Sequence, residues 1–105
     1  MIVRIWHGRT KTTDAEIYRQ FVIETGIKDY TSTEGNLGAQ IWQLKEGDAT
    51  HIWTVSWWKD FESIKAFAGD EIEKAKYYDE DKKYLLEFEP MVVHYEAFDF
   101  KTFKQ

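Results

Sequence analysis

The chain has 105 residues, the length of one domain, and its lack of cysteine excludes disulfides and thiolate metal sites. Its formal net charge is −5, from 14 basic and 19 acidic residues, which argues against the basic face that nucleic-acid phosphates require. Aromatic residues make up 17% of the chain, so some rings are expected to pack on a ligand or a partner. No apolar run approaches a membrane span and no apolar leader precedes the first strand, which predicts a cytoplasmic protein without membrane contact.

The N-terminal part is predicted to form a strand and then a helix. Residues 1–8 alternate as a strand does, and both faces carry apolar residues. Thr13 and Glu16 have the spacing of a capping box, and an apolar stripe from Tyr18 to Thr25 predicts the buried side of a helix, with Gly26 as a stop or kink. The strand presents Met1, Val3, Ile5 and His7 on one face and Ile2, Arg4 and Trp6 on the other.

A hairpin is predicted in the middle of the chain. Residues 31–38 are polar and contain glycine, which predicts a loop, and residues 39–58 follow as two strands. The turn between them contains Glu-Gly-Asp, whose glycine provides the positive φ angle that such turns need. The outgoing strand places His51, Trp53, Val55 and Trp57 on one face and Ile52, Thr54, Ser56 and Trp58 on the other.

Helices are predicted after the hairpin. Asp60 is the predicted N-cap of a helix that ends at Gly69. Asp70 is the predicted cap of a second short helix, which runs through Tyr78. The run DEDKKYLLEF begins acidic and continues basic, which matches the helix dipole and predicts a third short turn.

The order of the elements predicts the fold. Pro90 marks the entry to a last strand at residues 91–100. Strand, helix, strand, strand, helices and strand is the order of a ferredoxin-like βαββαβ domain, an α+β fold whose helices cover one face of a four-stranded antiparallel sheet. The predicted domain covers residues 1–97, and residues 98–105 form a C-terminal tail or arm.

The second face of this sheet is predicted to be apolar and without a cover. Such a patch exceeds what soluble monomers normally expose, and the chain has no further helix to place over it. We therefore predict a homodimer in which two sheets pack face to face with two-fold symmetry. The residues assigned to the patch are Trp6, Trp53, Val55 and Trp57, with Ile2 and Trp42 nearby.

The chain contains, in this order, the segments RIWHGRT, TGIKDY, EGNLG, SWWKDFESIKAFAGDEIEKAKYY, LLEFEP and VHYE. This series resembles the antibiotic biosynthesis monooxygenase-like proteins of the dimeric α/β-barrel superfamily, over residues 1 to about 97. The resemblance implies a barrel formed by two sheets of a dimer. It also implies a range of activities, because the superfamily includes cofactor-free oxygenases of aromatic polyketides, haem-degrading enzymes and many members with no known reaction.

The resemblance implies a pocket in each subunit, between the sheet and the helices. In related oxygenases a polar residue late in the first strand and a tryptophan at the end of the third strand line that pocket. The corresponding residues here are His7 and Trp58. Haem-degrading relatives also use a histidine on the helix after the third strand, and residues 59–78 contain none, which weighs against haem degradation.

Two histidines are the predicted catalytic residues. An imidazole at His7 can remove a phenolic or enolic proton near neutral pH, and the resulting anion can pass an electron to dioxygen without a flavin or a metal. The alternative for His7 is a half-buried histidine bonded to a loop carbonyl. His94 lies in the last strand, beside the first, and is either a second catalytic residue or a packed core or interface histidine. His51, next to the hairpin turn, is expected to be exposed.

Four side chains are predicted to bind the substrate. Trp58 either stacks on a planar substrate or is a core residue. Tyr78 and Tyr30 are phenolic donors near the pocket mouth, unless they are core aromatics, and Ser56 presents a hydroxyl on the face of Trp58. No metal site is predicted, because the three histidines have none of the usual ligand spacings.

The predicted function is the cofactor-independent oxidation of a phenolic or quinol-type aromatic compound by a monooxygenase-like homodimer. One alternative is a haem-binding or haem-degrading monooxygenase, for which haem would be the cofactor. The other is a non-catalytic barrel protein that binds a small ligand. The predicted partners are a small aromatic molecule and a second copy of the chain.

Overall fold

A computed structural model describes residues 1–98; residues 99–105, most of the predicted tail, lie outside the described part. Four strands form one antiparallel sheet, in the spatial order Asn36–Glu46, Ala49–Trp58, Ile2–Lys11 and Val93–Glu96, which confirms the ferredoxin-like α+β fold. The last strand is shorter than the predicted strand at residues 91–100. The elements are β1 (Ile2–Lys11), a 3₁₀ turn (Thr12–Asp14), α1 (Ala15–Val22), a π-helical turn (Ile23–Ile27), α2 (Lys28–Thr31), β2 (Asn36–Glu46), β3 (Ala49–Trp58), α3 (Phe61–Ala68), a second 3₁₀ turn (Asp79–Lys83) and β4 (Val93–Glu96).

The helical segment after β1 continues past Gly26, which was predicted to be a stop or a kink. Gly26 does not end it, because a π-helical turn, Ile23–Ile27, joins α1 to α2 and the chain stays helical to Thr31. The extension places Tyr30 in the core, and this burial offsets the backbone entropy that glycine loses in a helix. No helix within residues 1–98 is long and apolar enough to cross a membrane.

Two of three local signals in the sequence are confirmed. The Oδ1 atom of Asp60 accepts the backbone N–H of Ser63 at 2.9 Å and caps α3. Gly47 has a φ angle of +63° in the hairpin turn, as predicted. The predicted capping box that began at Thr13 is wrong, because Asp14 is the N-cap of α1 and makes no side-chain cap hydrogen bond.

Residues 70–78 do not form the predicted second helix. The buried guanidinium of Arg4 donates to the carbonyl oxygens of Ile72 at 2.5 Å and Lys74 at 3.2 Å. A helix would need those carbonyl oxygens for its own backbone bonds, so the guanidinium and the helix compete. The 3₁₀ turn Asp79–Lys83 agrees with the predicted third turn.

The register between strands decides which side chains share a face. Trp6 of β1 lies opposite Thr54 of β3, and His7 lies opposite Trp53. Trp6 and Ile2 therefore face the helices, and the prediction that both share a face with Trp53 is wrong. The alternation within each strand was predicted correctly. Alternation alone does not determine the register in which one strand pairs with the next.

The face of the sheet opposite the helices is largely apolar, and the structure describes nothing over it; we call it the open face. Tyr95 and Trp42 are 56% and 47% exposed on it. Val55, at its centre, is covered by neighbouring side chains on the same face. The apolar side chains of the open face are Val3 and Ile5 on β1, Trp42 and Leu44 on β2, Trp53, Val55 and Trp57 on β3, and Val93 and Tyr95 on β4.

Candidate functional site

The space between the sheet and the helices, where the resemblance implies a pocket, is nearly filled. Its cavity volume is about 30 Å³, which is room for about one water molecule. The indole of Trp6 lies over Gly8, where a Cβ would come within 2.5 Å of the ring. Trp58 is fully buried next to Tyr30, with 6.1 Å between the ring centroids. These rings occupy the volume that a planar substrate would need.

The predicted substrate-binding residues on this side bond to other side chains of the same chain. Trp58 Nε1 donates to Ser56 Oγ at 2.8 Å. The Tyr30 hydroxyl lies 3.1 Å from Thr54 Oγ1. Ser56, Trp58 and Tyr30 are thus neighbours, as their shared face predicted, but their polar atoms already have partners. A role for them in substrate binding stays a prediction that requires the helix side to open.

Two tyrosine–aspartate pairs close the outer part of the cavity. Tyr78 donates its hydroxyl to Asp29, and Tyr18 donates to Asp81 at 2.9 Å. Burial, followed by the nearby carboxylate, raises the pKa of both phenols. Burial also raises the pKa of Asp81, in spite of two hydrogen bonds that favour its ionised form. Both phenols are therefore neutral donors held by the chain itself.

His94 faces the helix side and is separated from His7 by the sheet. It lies opposite Arg4 in the β1–β4 pairing, and its Nε2 is 3.1 Å from Arg4 Nη1, so the neutral ring accepts from the guanidinium. Burial, and then the charge of Arg4, lower the pKa of His94. The two predicted catalytic histidines do not share a pocket.

The pKa of His94 has a consequence for stability. An unfolded histidine titrates at about 6.5, so as the pH falls below that value the unfolded chain binds a proton that the folded chain does not. We expect the free energy of unfolding to fall with decreasing pH between about 6.5 and the lower folded pKa of His94. Urea midpoints measured across this range, with His94→Gln as the comparison, check the prediction. An equally steep profile in the variant would contradict it.

Titratable side chains meet on the open face, and we call three of them the open-face cluster: Glu89, His7 and His51. A fourth, Glu46, lies at the edge of the cluster, with its Oε1 atom 3.5 Å from His51 Nε2. The Nδ1 atom of His7 contacts Glu89 Oε2, and its Nε2 atom lies 2.8 Å from His51 Nδ1. The exposed fractions of these side chains are 24% for His7, 19% for His51 and 40% for Glu89. His7 is therefore not in a pocket between sheet and helices, and His51 is not exposed; both predictions of position are wrong. Within residues 1–98, no group of three or more histidine and acidic side chains is arranged to hold a metal ion.

A pocket of about 410 Å³ adjoins the open-face cluster, and a volume of this order is typical of small-molecule sites. Both imidazoles pack against Trp53. The ring of His51 stacks on the indole with 5.6 Å between the ring centroids and 16° between the planes, and the centroid of the His7 ring lies 5.1 Å from that of the indole. His7 and Glu89 form the polar side of the pocket. Its apolar walls are Ile5, Trp42, Trp53, Met91, Val93 and Tyr95.

The segment that carries Glu89 is held by contacts with Arg9 of β1 and with Tyr77. The N–H of Leu86 donates to the carbonyl oxygen of Arg9 at 2.9 Å, and the Tyr77 hydroxyl donates to the carbonyl oxygen of Glu89 at 2.5 Å. Arg9 also makes two hydrogen bonds, of 2.6 and 3.0 Å, with the carboxylate of Glu87. The hydrogen bonds from Arg9 lower the pKa of Glu87. The segment between Tyr77 and Pro90 thus has a fixed path although it contains no strand.

Reasoning from the sequence missed Glu89 and left His51 outside the site. The strand alternation already put His51 on the face of Trp53; the missing fact was that His7 pairs with Trp53, which makes His51 its diagonal neighbour. Glu89 has no comparable signal. It lies in an irregular segment, where no periodicity shows the direction of a side chain.

Comparison with known proteins gives structural neighbours only. No sequence-family profile matches the chain, and no curated protein sequence matches it either. The fold of a "putative antibiotic biosynthesis monooxygenase" from Nitrosomonas europaea is similar, with a TM-score of 0.63, 17% identity, and coverage of 94% of this chain and 100% of that chain. A protein of the same description from Bacillus cereus has a TM-score of 0.58 and 16% identity, over 100% of this chain and 98% of that one.

The haem degrader MhuD from Mycobacterium tuberculosis, solved with two haems bound in its active site, also has this fold. Its TM-score is 0.60 at 13% identity, over 97% of this chain and 100% of that chain. At identities this low, the structural similarity shows a shared fold and no more. The fold that the sequence resemblance implied is thereby confirmed along nearly the whole chain.

Proposed function

We propose that the protein is a small-molecule monooxygenase that oxidises a phenolic or quinol-type aromatic compound without a resident cofactor. The observation that carries the proposal is the pocket on the open face, where aromatic walls adjoin the open-face cluster. Aromatic walls suit a planar substrate, and a carboxylate–imidazole group suits the removal of a hydroxyl proton. The fold shared with two proteins described as monooxygenases supports the proposal as an analogy.

The chemistry needs only the substrate, dioxygen and the open-face cluster. The cluster takes the hydroxyl proton, and the phenolate transfers one electron to dioxygen to give a phenoxyl radical and superoxide. These combine through a new carbon–oxygen bond at a ring carbon that carries hydrogen, and the stored proton returns to the peroxide. Loss of water then leaves a quinone, so one phenol and one dioxygen give one quinone and one water.

We propose that the active form is a homodimer through the open face. The support is the row of apolar side chains on all four strands, for which the described chain has no cover. A second sheet packed on this face would also close the pocket against water, and exclusion of water protects a reactive anion and radical from side reactions. The predicted cytoplasmic location stays a prediction.

Haem does not fit the helix side of this chain. The cavity there holds about one water, and the histidine on that side, His94, already accepts from Arg4. We therefore derive no step through haem.

Oxygen uptake by wild-type protein with a panel of one-, two- and three-ring phenols and quinols tests the proposal. With a competent substrate, His7→Ala is expected to lower the rate by about 10² or more, since loss of the central cluster member misplaces the proton acceptor. Glu62→Gln is the control, because Glu62 is exposed on α3 and pairs there with Lys65, on the other side of the sheet from the cluster. Saturable binding of a panel member without oxygen uptake above the blank would favour the non-catalytic alternative and contradict the proposal.

A further inference from the structure

We infer that Glu89, rather than His7, contacts the substrate hydroxyl and takes its proton, and that His7 is a positioning residue behind it. The inference rests on the proposed function and assigns the acid–base step of that reaction to one atom, Glu89 Oε1. Three observations support it: both ring nitrogens of His7 are bonded, one carboxylate oxygen of Glu89 has no partner among the described residues, and Glu89 lines the pocket.

Both ring nitrogens of His7 are already bonded. Nδ1 contacts Glu89 Oε2, and an ionised carboxylate can only accept, so the proton of that contact is on Nδ1. Nε2 lies 2.8 Å from His51 Nδ1, and the two nitrogens share a hydrogen bond; the other nitrogen of His51, Nε2, lies 3.5 Å from Glu46 Oε1. Because each nitrogen faces a side chain, His7 has no lone pair directed at the pocket and meets a substrate only if one of these bonds breaks.

Glu89 does have such an atom. Only Oε2 of its carboxylate bonds to His7, and Oε1 accepts no hydrogen bond from the residues that the structure describes. Glu89 lines the pocket, whereas His51 lies behind His7 and outside the lining. A carboxylate oxygen accepts a phenolic hydroxyl as a strong charge-assisted hydrogen bond. Glu89 is therefore the carboxylate in the pocket lining that can accept a substrate hydroxyl, and Oε1 is its oxygen without a partner among the described residues.

The proton balance of the step is simple. The substrate O–H bond breaks, a bond forms between that proton and Glu89 Oε1, and the electron pair stays on the substrate oxygen. The same proton returns from Oε1 to the peroxide after carbon–oxygen bond formation, so Glu89 ends the cycle ionised. His7 keeps its Nδ1 proton throughout and holds the carboxylate in place, while its contact with His51 occupies its other ring nitrogen.

Paired substitutions separate the two roles. Glu89→Gln keeps an acceptor for the His7 N–H but removes the base, and it is expected to lower oxygen uptake by about 10²–10⁴. His7→Gln keeps a donor to Glu89 and is expected to retain activity within about tenfold of wild type. Glu62→Gln, which removes a carboxylate from α3 on the other side of the sheet, is the control. Full activity in Glu89→Gln together with loss in His7→Gln would overturn the inference.

A second measurement does not depend on turnover. 4-Nitrophenol absorbs in the visible only as the phenolate, so its apparent pKa can be read when it is bound to the protein. A carboxylate facing the hydroxyl favours the neutral phenol, so wild-type protein is expected to raise the pKa of bound 4-nitrophenol. Glu89→Gln is expected to remove this rise, and His7→Gln to keep it.

The two measurements distinguish the failure of each proposal. A raised nitrophenol pKa without oxygen uptake on any substrate leaves Glu89 as the hydroxyl-binding group and contradicts the oxygenase. A lowered or unchanged pKa in wild-type protein that does consume oxygen overturns the role of Glu89 alone. No binding of 4-nitrophenol at millimolar concentration overturns it as well, because the pocket would then not accept a phenol.

Discussion

Replacing Tyr95 with glutamate is expected to convert the protein from a dimer to a monomer. Tyr95 is 56% exposed on the open face, opposite Val3 in the β1–β4 pairing. In the proposed dimer its ring is buried against the second sheet, and a carboxylate in its place would lose its water without gaining a partner. A cost of about 4 kcal/mol raises the dissociation constant about 10³-fold, enough to dissociate a dimer of ordinary affinity at micromolar concentration.

Sedimentation equilibrium of wild-type protein and two variants measures this effect. Ile17→Glu is the matched control, because Ile17 is 59% exposed on α1, a helix on the other side of the sheet. We expect wild type and Ile17→Glu to have twice the mass of the chain and Tyr95→Glu to have its single mass. A monomeric wild-type protein, or a dimer that tolerates glutamate at position 95, would contradict packing through the open face.

Replacing Trp58 with alanine is expected to cost about 3–5 kcal/mol of the free energy of unfolding. Trp58 is fully buried, its ring contacts those of Tyr30 and Phe67, and its Nε1–H bonds to Ser56. Alanine leaves a cavity and removes the N–H that Ser56 Oγ accepts, in a domain whose total stability is of the order of 5–15 kcal/mol.

Urea unfolding of Trp58→Ala against wild type measures the loss. Ile17→Ala is the control, since a surface truncation of this kind changes stability by about 0.5 kcal/mol or less. A loss below about 1 kcal/mol in Trp58→Ala would show that the ring can leave the core without a packing defect. That result would support the role predicted from the sequence, in which Trp58 stacks on a substrate in an opened helix side.

The fold could be predicted from the sequence because its main signals are local. The alternation of β3, the glycine of the hairpin turn and the Asp60 cap each act within a few residues. The second helix was predicted wrongly for the opposite reason. The chain at Ile72 and Lys74 is held by the guanidinium of Arg4, about 70 positions away in sequence, and no local pattern contains that contact.

The candidate site could be predicted only in part, because it depends on how strands pair. His7 was selected from its residue type and its place in β1, and the structure puts it at a pocket, but on the other face of the sheet from the one expected. Trp58, Tyr30 and Ser56 were correctly placed together, and they fill space that was predicted to be empty. A shift of one residue in register exchanges the two faces, so the sequence determined the composition of each group and not its side.

The contact between Trp6 and Gly8 constrains the order in which substitutions at these two positions can be accepted. A side chain at position 8 collides with the indole, so any larger residue there must follow a smaller residue at position 6. The reverse order passes through an unstable intermediate. Positions 6 and 8 of β1 are therefore epistatic. To open a ligand cavity between the sheet and the helices, evolution or design would have to replace the indole of Trp6 first.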